Sequence, residues 1–426
     1  MASKKKLLTS AVAAAIASLT IAVAATPAAA ADSFYTYTGS APLSSVPLGT
    51  VLNTRKLNYE VTLVGIPTTW TVQQLLYRTN NARNEPVVNV TSVILSPVSN
   101  GNAISFQSAY DSFNPEDEPS KLFHKNLPLG TDAIDLPLML LAGYNIIVPD
   151  TEGQTADYSV GPEYGMTTLD SVRAAVNSPV TQLSPTSQVA LIGYSGGAIA
   201  TTWAAQLAPS YAPDVNHILI GAAEGGVVVD PAHNLQYVDD SVAWGGSALV
   251  LFAGMARGYN FDLTPYLSSY GTTAFTQVQK ETLLQILPNY LLLNWQTLFS
   301  PNYANDINSI PAYVQYVNQE NAGLQPSPTI PIFITEGAGY FMDGNLTLQL
   351  GDGVMVAGDV RTLAQQYCAS GIPVQYNELP LDHIATGLVW ESAILPWLTD
   401  RFAGKAAPNN CSQIPAGNSL AAETVH

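Results

Sequence analysis

The stretch Gly193-Tyr194-Ser195-Gly196-Gly197 limits what this chain can become more than any other part of it. It follows an apolar run, Val189-Ala190-Leu191-Ile192, and opens an alanine-rich segment, Ala198 to Leu207, with helical spacing. That context reads as a strand, an abrupt turn and a helix. A serine at the tip of such a turn is held in a strained backbone conformation that lifts its hydroxyl clear of the sheet. Gly193 and Gly197 fit the same picture, because a Cβ at either position would collide where strand and helix crowd together. Ser195 is therefore the candidate nucleophile.

The rest of the chain supports a sheet on which such a turn could stand. Leu57 to Val64, Trp70 to Thr79 and Val87 to Leu95 are rich in β-branched and aromatic residues with partial alternation, and Asn145 to Asp150 is a short apolar run closed by turn residues. Thr167 to Val176 carries helical spacing, then comes the strand before Ser195, then Ile218-Leu219-Ile220-Gly221. Strands alternating with helices predict a mostly parallel, doubly wound α/β sheet covered on both faces. From about Glu224 to Gln319 the pattern changes to segments with helical apolar spacing, including Ala248 to Phe252 and Leu283 to Trp295, broken by Gly and Pro, which marks residues 224–319 as a helical insertion. Sheet signals resume at Ile330 to Thr335 and Val374 to Tyr376. Between them Val360, Leu363, Ala364, Tyr367 and Cys368 share one helical face that stops at Gly371. The core is thus expected over 31–223 and 320–426, with the segment before Leu52 as a surface arm.

The first thirty residues have the form of an export signal: Lys4-Lys5-Lys6, an apolar stretch from Leu7 to Ala25, and Ala28-Ala29-Ala30 before the expected cleavage site. No later stretch reaches the roughly 18 to 20 apolar residues of a membrane span, so a soluble, secreted protein without stable membrane insertion is expected. Of 15 basic residues, removing those three lysines leaves 12 against 32 acidic ones, a net charge of −20. Such a charge argues against nucleic acid as a partner. Cys368 and Cys411 are the only cysteines and are expected to pair in an oxidising compartment.

A serine hydroxyl needs a base near neutral pH, and histidine is suited to serve. The chain has five histidines. His426 is terminal, His124 and His217 lie in polar stretches, and His233 reads as part of a Pro-Ala-His-Asn turn inside the insertion. His383 follows the last strand signal and precedes a helical pattern from Ile384, which puts it at the sheet edge that carries Ser195. The acid should follow the strand Ile330 to Thr335, and Asp343, Asp352 and Asp359 compete for the role. Asp359 falls in a first helical turn, where carboxylates suit the helix dipole. Asp352, just before Gly353-Val354-Met355-Val356, is favoured, and Asp343 stays open. Asp382, beside His383, is badly placed to orient it. The N–H of Gly196 is one oxyanion donor, and a second is expected from the loop Gln107 to Ser112. No metal-ligand spacing, phosphate loop or dinucleotide fingerprint occurs, so no cofactor or metal is expected.

At these residues the sequence resembles the secretory lipase family of α/β-hydrolases. The likeness rests on Tyr77-Arg78-Thr79, Ser105 to Ser112, Gly143-Tyr144, Val148 to Gly153, Leu169 to Ala174, the serine turn, Asp382-His383 and Trp397 to Phe402. The resemblance implies an α/β-hydrolase fold with the insertion as a helical lid. It also implies Ser195, Asp352 and His383 as the catalytic set, with Asp111 and Gly196 as the oxyanion hole. The family has its acid a few residues after the strand, whereas here Glu336 to Gly351 intervene before Asp352. The expected function is a triacylglycerol lipase or esterase working on lipid or other carboxylic esters, with transient contact at a lipid interface. Acyl transfer to a cell-envelope acceptor and a non-catalytic, exported lipid-binding role are the alternatives.

Overall fold

The computed structural model describes residues 32–63, 66–130, 133, 135–339 and 351–426. The expected export signal and Asp343 lie outside the described residues. Nine strands form one sheet: β1 (Val51–Leu63), β2 (Ile66–Asn80), β3 (Pro86–Ile94), β4 (Ala103–Gln107), β5 (Asn145–Pro149), β6 (Val189–Tyr194), β7 (Leu219–Gly225), β8 (Ile332–Gly337) and β9 (Val374–Leu379). Their spatial order is β1-β2-β3-β5-β4-β6-β7-β8-β9. The first three pair antiparallel with one another and with β5, and every pairing from β5 to β9 is parallel. From β4 the chain steps outward to β5 and then returns to lay β6 on the other side of β4. The carboxyl ends of β4 and β6 therefore flank a topological switch point, where α/β sheets open a crevice.

The helices are α1 (Pro119–Lys125), α2 (Leu136–Leu141), α3 (Gly161–Asn177), α4 (Gly196–Tyr211), α5 (Pro231–Tyr237), α6 (Ser247–Gly258), α7 (Ser269–Val278), α8 (Pro311–Gln319), α9 (Ala357–Ala369) and α10 (His383–Phe402). Alternation along the strands divides them between two cores, as the two-residue period of a strand requires. In β6, Val189 and Leu191 pack with Leu169, Val172, Ala204 and Leu363 of α3, α4 and α9. Ala190 and Ile192 point the other way, onto Phe123, Met139, Trp390 and Trp397 of α1, α2 and α10. The two faces are both covered, which agrees with the apolar character of the central strands.

Between β7 and β8 the chain builds a third apolar cluster. Leu249, Phe252, Phe299 and Tyr313 pack together and rest on Ile199 and Trp203 of α4 and on Met355. Ala248 to Phe252 is helical, as expected. Leu283 to Trp295 is not one helix: a single turn over Leu283–Ile286 gives way to a short 3-10 turn, Leu287–Asn289. Pro288 lacks the N–H that a continuing helix needs, and Leu292 adopts a positive φ of 55°. Cys368 at the end of α9 is joined to Cys411, with Cα atoms 5.8 Å apart across a separation of 43 residues. Closing that loop stabilises the fold by about 4 kcal/mol on the chain-entropy account.

Candidate active site

Ser195 sits between the last residue of β6 and the first of α4 with φ 55° and ψ −121°, outside the regions that a side chain favours. Close packing holds it there. A Cβ on Gly193 would lie 2.2 Å from the carbonyl oxygen of Gly197, and one on Gly197 would lie 2.0 Å from that of Gln107. No side chain fits either gap, so strand and helix can approach closely enough to force the turn.

His383 is the first residue of α10, not a loop residue, and Asp382 caps that helix by accepting from Ala385 N at 2.9 Å. That capping role occupies Asp382 away from the imidazole. His383 Nε2 lies 2.8 Å from Ser195 Oγ, and Nδ1 lies 2.5 Å from Asp352 Oδ2. The hydroxyl can donate to Nε2 while the carboxylate, which can only accept, holds Nδ1–H. His383 is 3% exposed and Asp352 1%. The second oxygen of Asp352, Oδ1, accepts from Val354 N at 3.0 Å and Met355 N at 2.7 Å, and its backbone carbonyl accepts from His383 N at 2.9 Å. Two backbone N–H groups thus hold the carboxylate and a third holds the main chain of the same residue, which fixes the acid's orientation.

Three further residues fix the imidazole. Tyr194 Oη donates to the His383 carbonyl at 2.6 Å, and its ring lies 5.1 Å from the imidazole. Trp244 meets the imidazole edge-on at 5.4 Å. Gly226, at φ 58°, leaves room that a Cβ would take, 2.6 Å from His383 Cε1.

The loop after β4 closes the other side. Asp111 has a positive φ of 47°. Its carboxylate packs so tightly on Gly196 that a Cβ there would sit 1.8 Å from Oδ1. The loop is held from within by Glu152, whose Oε1 accepts from Ser112 N at 3.2 Å and from Tyr164 Oη at 3.1 Å. Burial, and then the nearby charge of Asp111, push the Glu152 carboxyl well above its usual range. From the helical segment, Phe113 N donates to Glu281 O at 3.1 Å and Leu283 N donates to Asp111 O at 2.8 Å. The segment is thus bonded to Asp111 itself and to Phe113 two residues on.

The family profile for secretory lipases matches residues 121–410. The chain belongs to that family. It is 30% identical over 375 residues to a protein named as a probable inactive lipase of Mycobacterium tuberculosis, covering 84% of this chain and 79% of that protein. It is 28% identical over 398 residues to lipase 4 of Candida albicans, covering 89% and 83%. Among solved structures it resembles lipase A of Candida antarctica in its closed state, with a TM-score of 0.76, 26% identity, and coverage of 91% of this chain and 90% of that one.

In this member of the family Ser195 opens into a pocket of about 100 Å³. Ser195, Gly196 and Asp111 stand at its polar end, and Ile199, Leu235, Val238, Leu251 and Met355 line the remainder with mostly apolar atoms. Sequence reasoning did not find the supports. Asn234 and Trp244 carry no motif, and Tyr194 in the serine turn and Glu152 in the Val148 to Gly153 stretch were given no role there; each acts on a partner 40 or more residues away. His233 corrects an expectation: it lies within α5, not in a turn, because Asp230 caps the helix and Pro231 starts it. It also has a partner, since Nδ1 lies 3.0 Å from both oxygens of Asp359. The histidine at i+3 from a capping aspartate was the available signal.

Proposed function

We propose that this chain is a secreted carboxylester hydrolase of the triacylglycerol lipase type, with Ser195 as nucleophile, His383 as base and Asp352 as the acid that orients it. In this reading residues 1–30 are removed on export, and residues 224–319 form a cap over the site. The observation that carries it is the unbroken hydrogen-bonded run from Asp352 through His383 to Ser195, ending in a mostly apolar pocket.

Ser195 Oγ attacks the ester carbonyl carbon as His383 Nε2 takes the hydroxyl proton. The carbonyl oxygen gains the negative charge, and the N–H groups of Gly196 and Asp111 are the donors proposed for it. Removing one such donor costs about 3 kcal/mol of barrier. His383 then passes the proton to the departing alcohol oxygen, leaving the acyl group on Ser195. A water deprotonated by His383 attacks the acyl carbon, and the carboxylic acid and free Ser195 hydroxyl are restored. Burial, and then the charge of Asp352, hold the neighbouring Glu336 carboxyl well above its usual range, so it does not compete as a second anion.

A relative named as a probable inactive lipase gives a second reading a footing: the same fold kept as a non-catalytic lipid-binding protein. Treating the mature protein and Ser195→Ala with a fluorophosphonate probe and an ester series of rising acyl length separates the two. The proposal expects labelling and turnover in the first protein only. Absence of both from the mature protein supports the binding role.

A further inference from the structure

In this chain residues 338–351 separate the end of β8 from Asp352. The strand still touches the acid, since a Cβ on Gly337 would lie 2.6 Å from Asp352 Cβ, but it does not deliver Asp352 through a short, taut connection. Bonds inside the turn fix its shape: Gly351 bridges Val356, and Asp352 Oδ1 accepts from Val354 and Met355 N–H. They do not fix where the turn stands relative to His383.

An anchor comes from outside, from α5. Asn234 Nδ2 donates to Val354 O at 2.6 Å, two residues from the acid. One residue earlier, His233 Nδ1 lies 3.0 Å from each oxygen of Asp359, in the first turn of α9, where the acid's turn ends. Asp359 Oδ1 also accepts from Asn418 Nδ2 at 2.8 Å. Neighbouring residues of one short helix thus hold both ends of the segment 354–359. The helix itself is secured independently of that segment. Asp230 Oδ1 caps Ala232 N at 3.0 Å, Asp230 Oδ2 accepts from Asn321 Nδ2 at 2.8 Å, and Ala322 N donates to Val229 O at 2.8 Å.

We infer that Asn234, supported by His233, is a positioning residue for Asp352: through the Val354 carbonyl it sets the acid's turn at the distance from His383 that the triplet requires. The inference rests on the proposed role of Asp352. It follows from the tolerance of such a site, about 0.5 Å in a supporting shell: contact with Gly337 and the bond from His383 N hold Asp352 itself, and Asn234 holds the far side of its turn at Val354.

Four mature proteins test it: the parent, Asn234→Ala, Asp352→Asn and the double variant, each assayed for kcat and KM on a short-chain ester. The His383 Nδ1–H resonance at low field in proton NMR reports the acid–base contact directly. Loss of one hydrogen bond acting through the turn should lower kcat about tenfold, leave KM within about twofold, and shift or broaden that resonance. In the Asp352→Asn background the same substitution should change kcat by less than about twofold, because residues acting as a unit are not additive. Asn234 also lines the pocket, so a rise in KM at constant kcat would assign its effect to substrate contact and overturn the positioning role. An equal loss in both backgrounds, or an unchanged resonance, would overturn the positioning role. Should Asn234→Ala not fold, His233→Ala keeps Asn234 in place and is expected to give the same pattern at about threefold in kcat. Unchanged activity in Asp352→Asn sinks the triad reading itself, whereas an effect there with none in Asn234→Ala sinks only this inference.

Discussion

The turns that carry Ser195 and Asp352 solve one problem in opposite ways. At Ser195 the constraint is mostly local: β6, five residues and α4 create the conformation, with Gly193 letting these two elements close and Gly197 admitting the one remote neighbour, the Gln107 carbonyl of β4. At Asp352 the constraint is remote, drawn from α5 more than one hundred residues earlier and from the start of α10. A local device keeps its geometry as long as its own two elements pack. A remote one holds only while several elements stay docked, so damage far along the chain can reach it.

Predictions that break or sharpen this contrast can be ordered by size. Ser195→Ala should lower kcat by about 10⁶-fold with no loss of folding, as removal of a nucleophile does; burst labelling and steady-state turnover measure it. Asp352→Asn should cost about 10⁴-fold, because the amide favours the wrong imidazole tautomer. Gly197→Ala should abolish activity together with stability, since its Cβ would lie 2.0 Å from the Gln107 carbonyl oxygen. A soluble variant with a parental melting temperature would refute the local reading of the elbow. Replacing Cys368 and Cys411 by alanine should lower stability by about 4 kcal/mol, with the larger functional effect on the acid's side, because Asn418 lies in the tail that the bridge tethers. Denaturant unfolding and kcat of the remaining folded protein report the two effects.

The smallest expected effect concerns pH. Burial raises Glu224 to about 7 and Glu320 to about 8, and lifts Asp150 in the same direction. Each binds a proton in the folded protein at a pH where the unfolded chain has lost it. Their contribution is therefore complete below about 4.5 and falls as pH rises through 8. His233, raised to about 9 chiefly by its hydrogen bond to Asp359, acts with the same sign: its contribution is full below about 6.5 and lost through 9. Melting temperatures at pH 5 above those at pH 8 are expected, and the reverse order would contradict these burial assignments.

What could be read in the chain follows the same division. The serine elbow, the strand and helix that flank it and the position of His383 depend on neighbours within a few residues, where periodicity and turn chemistry carry information. Asp352 was favoured from its place before a helix, but nothing in its own neighbourhood revealed Asn234 or the pairing of His233 with Asp359. His233 looked like a turn residue because Pro and Asn flank it. Its partner lies 126 residues away, and no local pattern encodes a contact that only the finished fold creates. The apolar spacing of Leu283 to Trp295 and the breaks expected there from Gly and Pro were both legible, and Pro288 falls where the single helical turn gives way.

The two backbone hydrogen bonds that run from the helical segment to the loop after β4 bear on how access to Ser195 is controlled. If the segment is the proposed cap, moving it as a rigid plate must either break both bonds or drag Asp111 along with it. On that proposal, entry of a substrate and readiness of the charge-accepting site lie on a single mechanical coordinate, and loosening the segment at Leu283 is expected to alter turnover as well as admission.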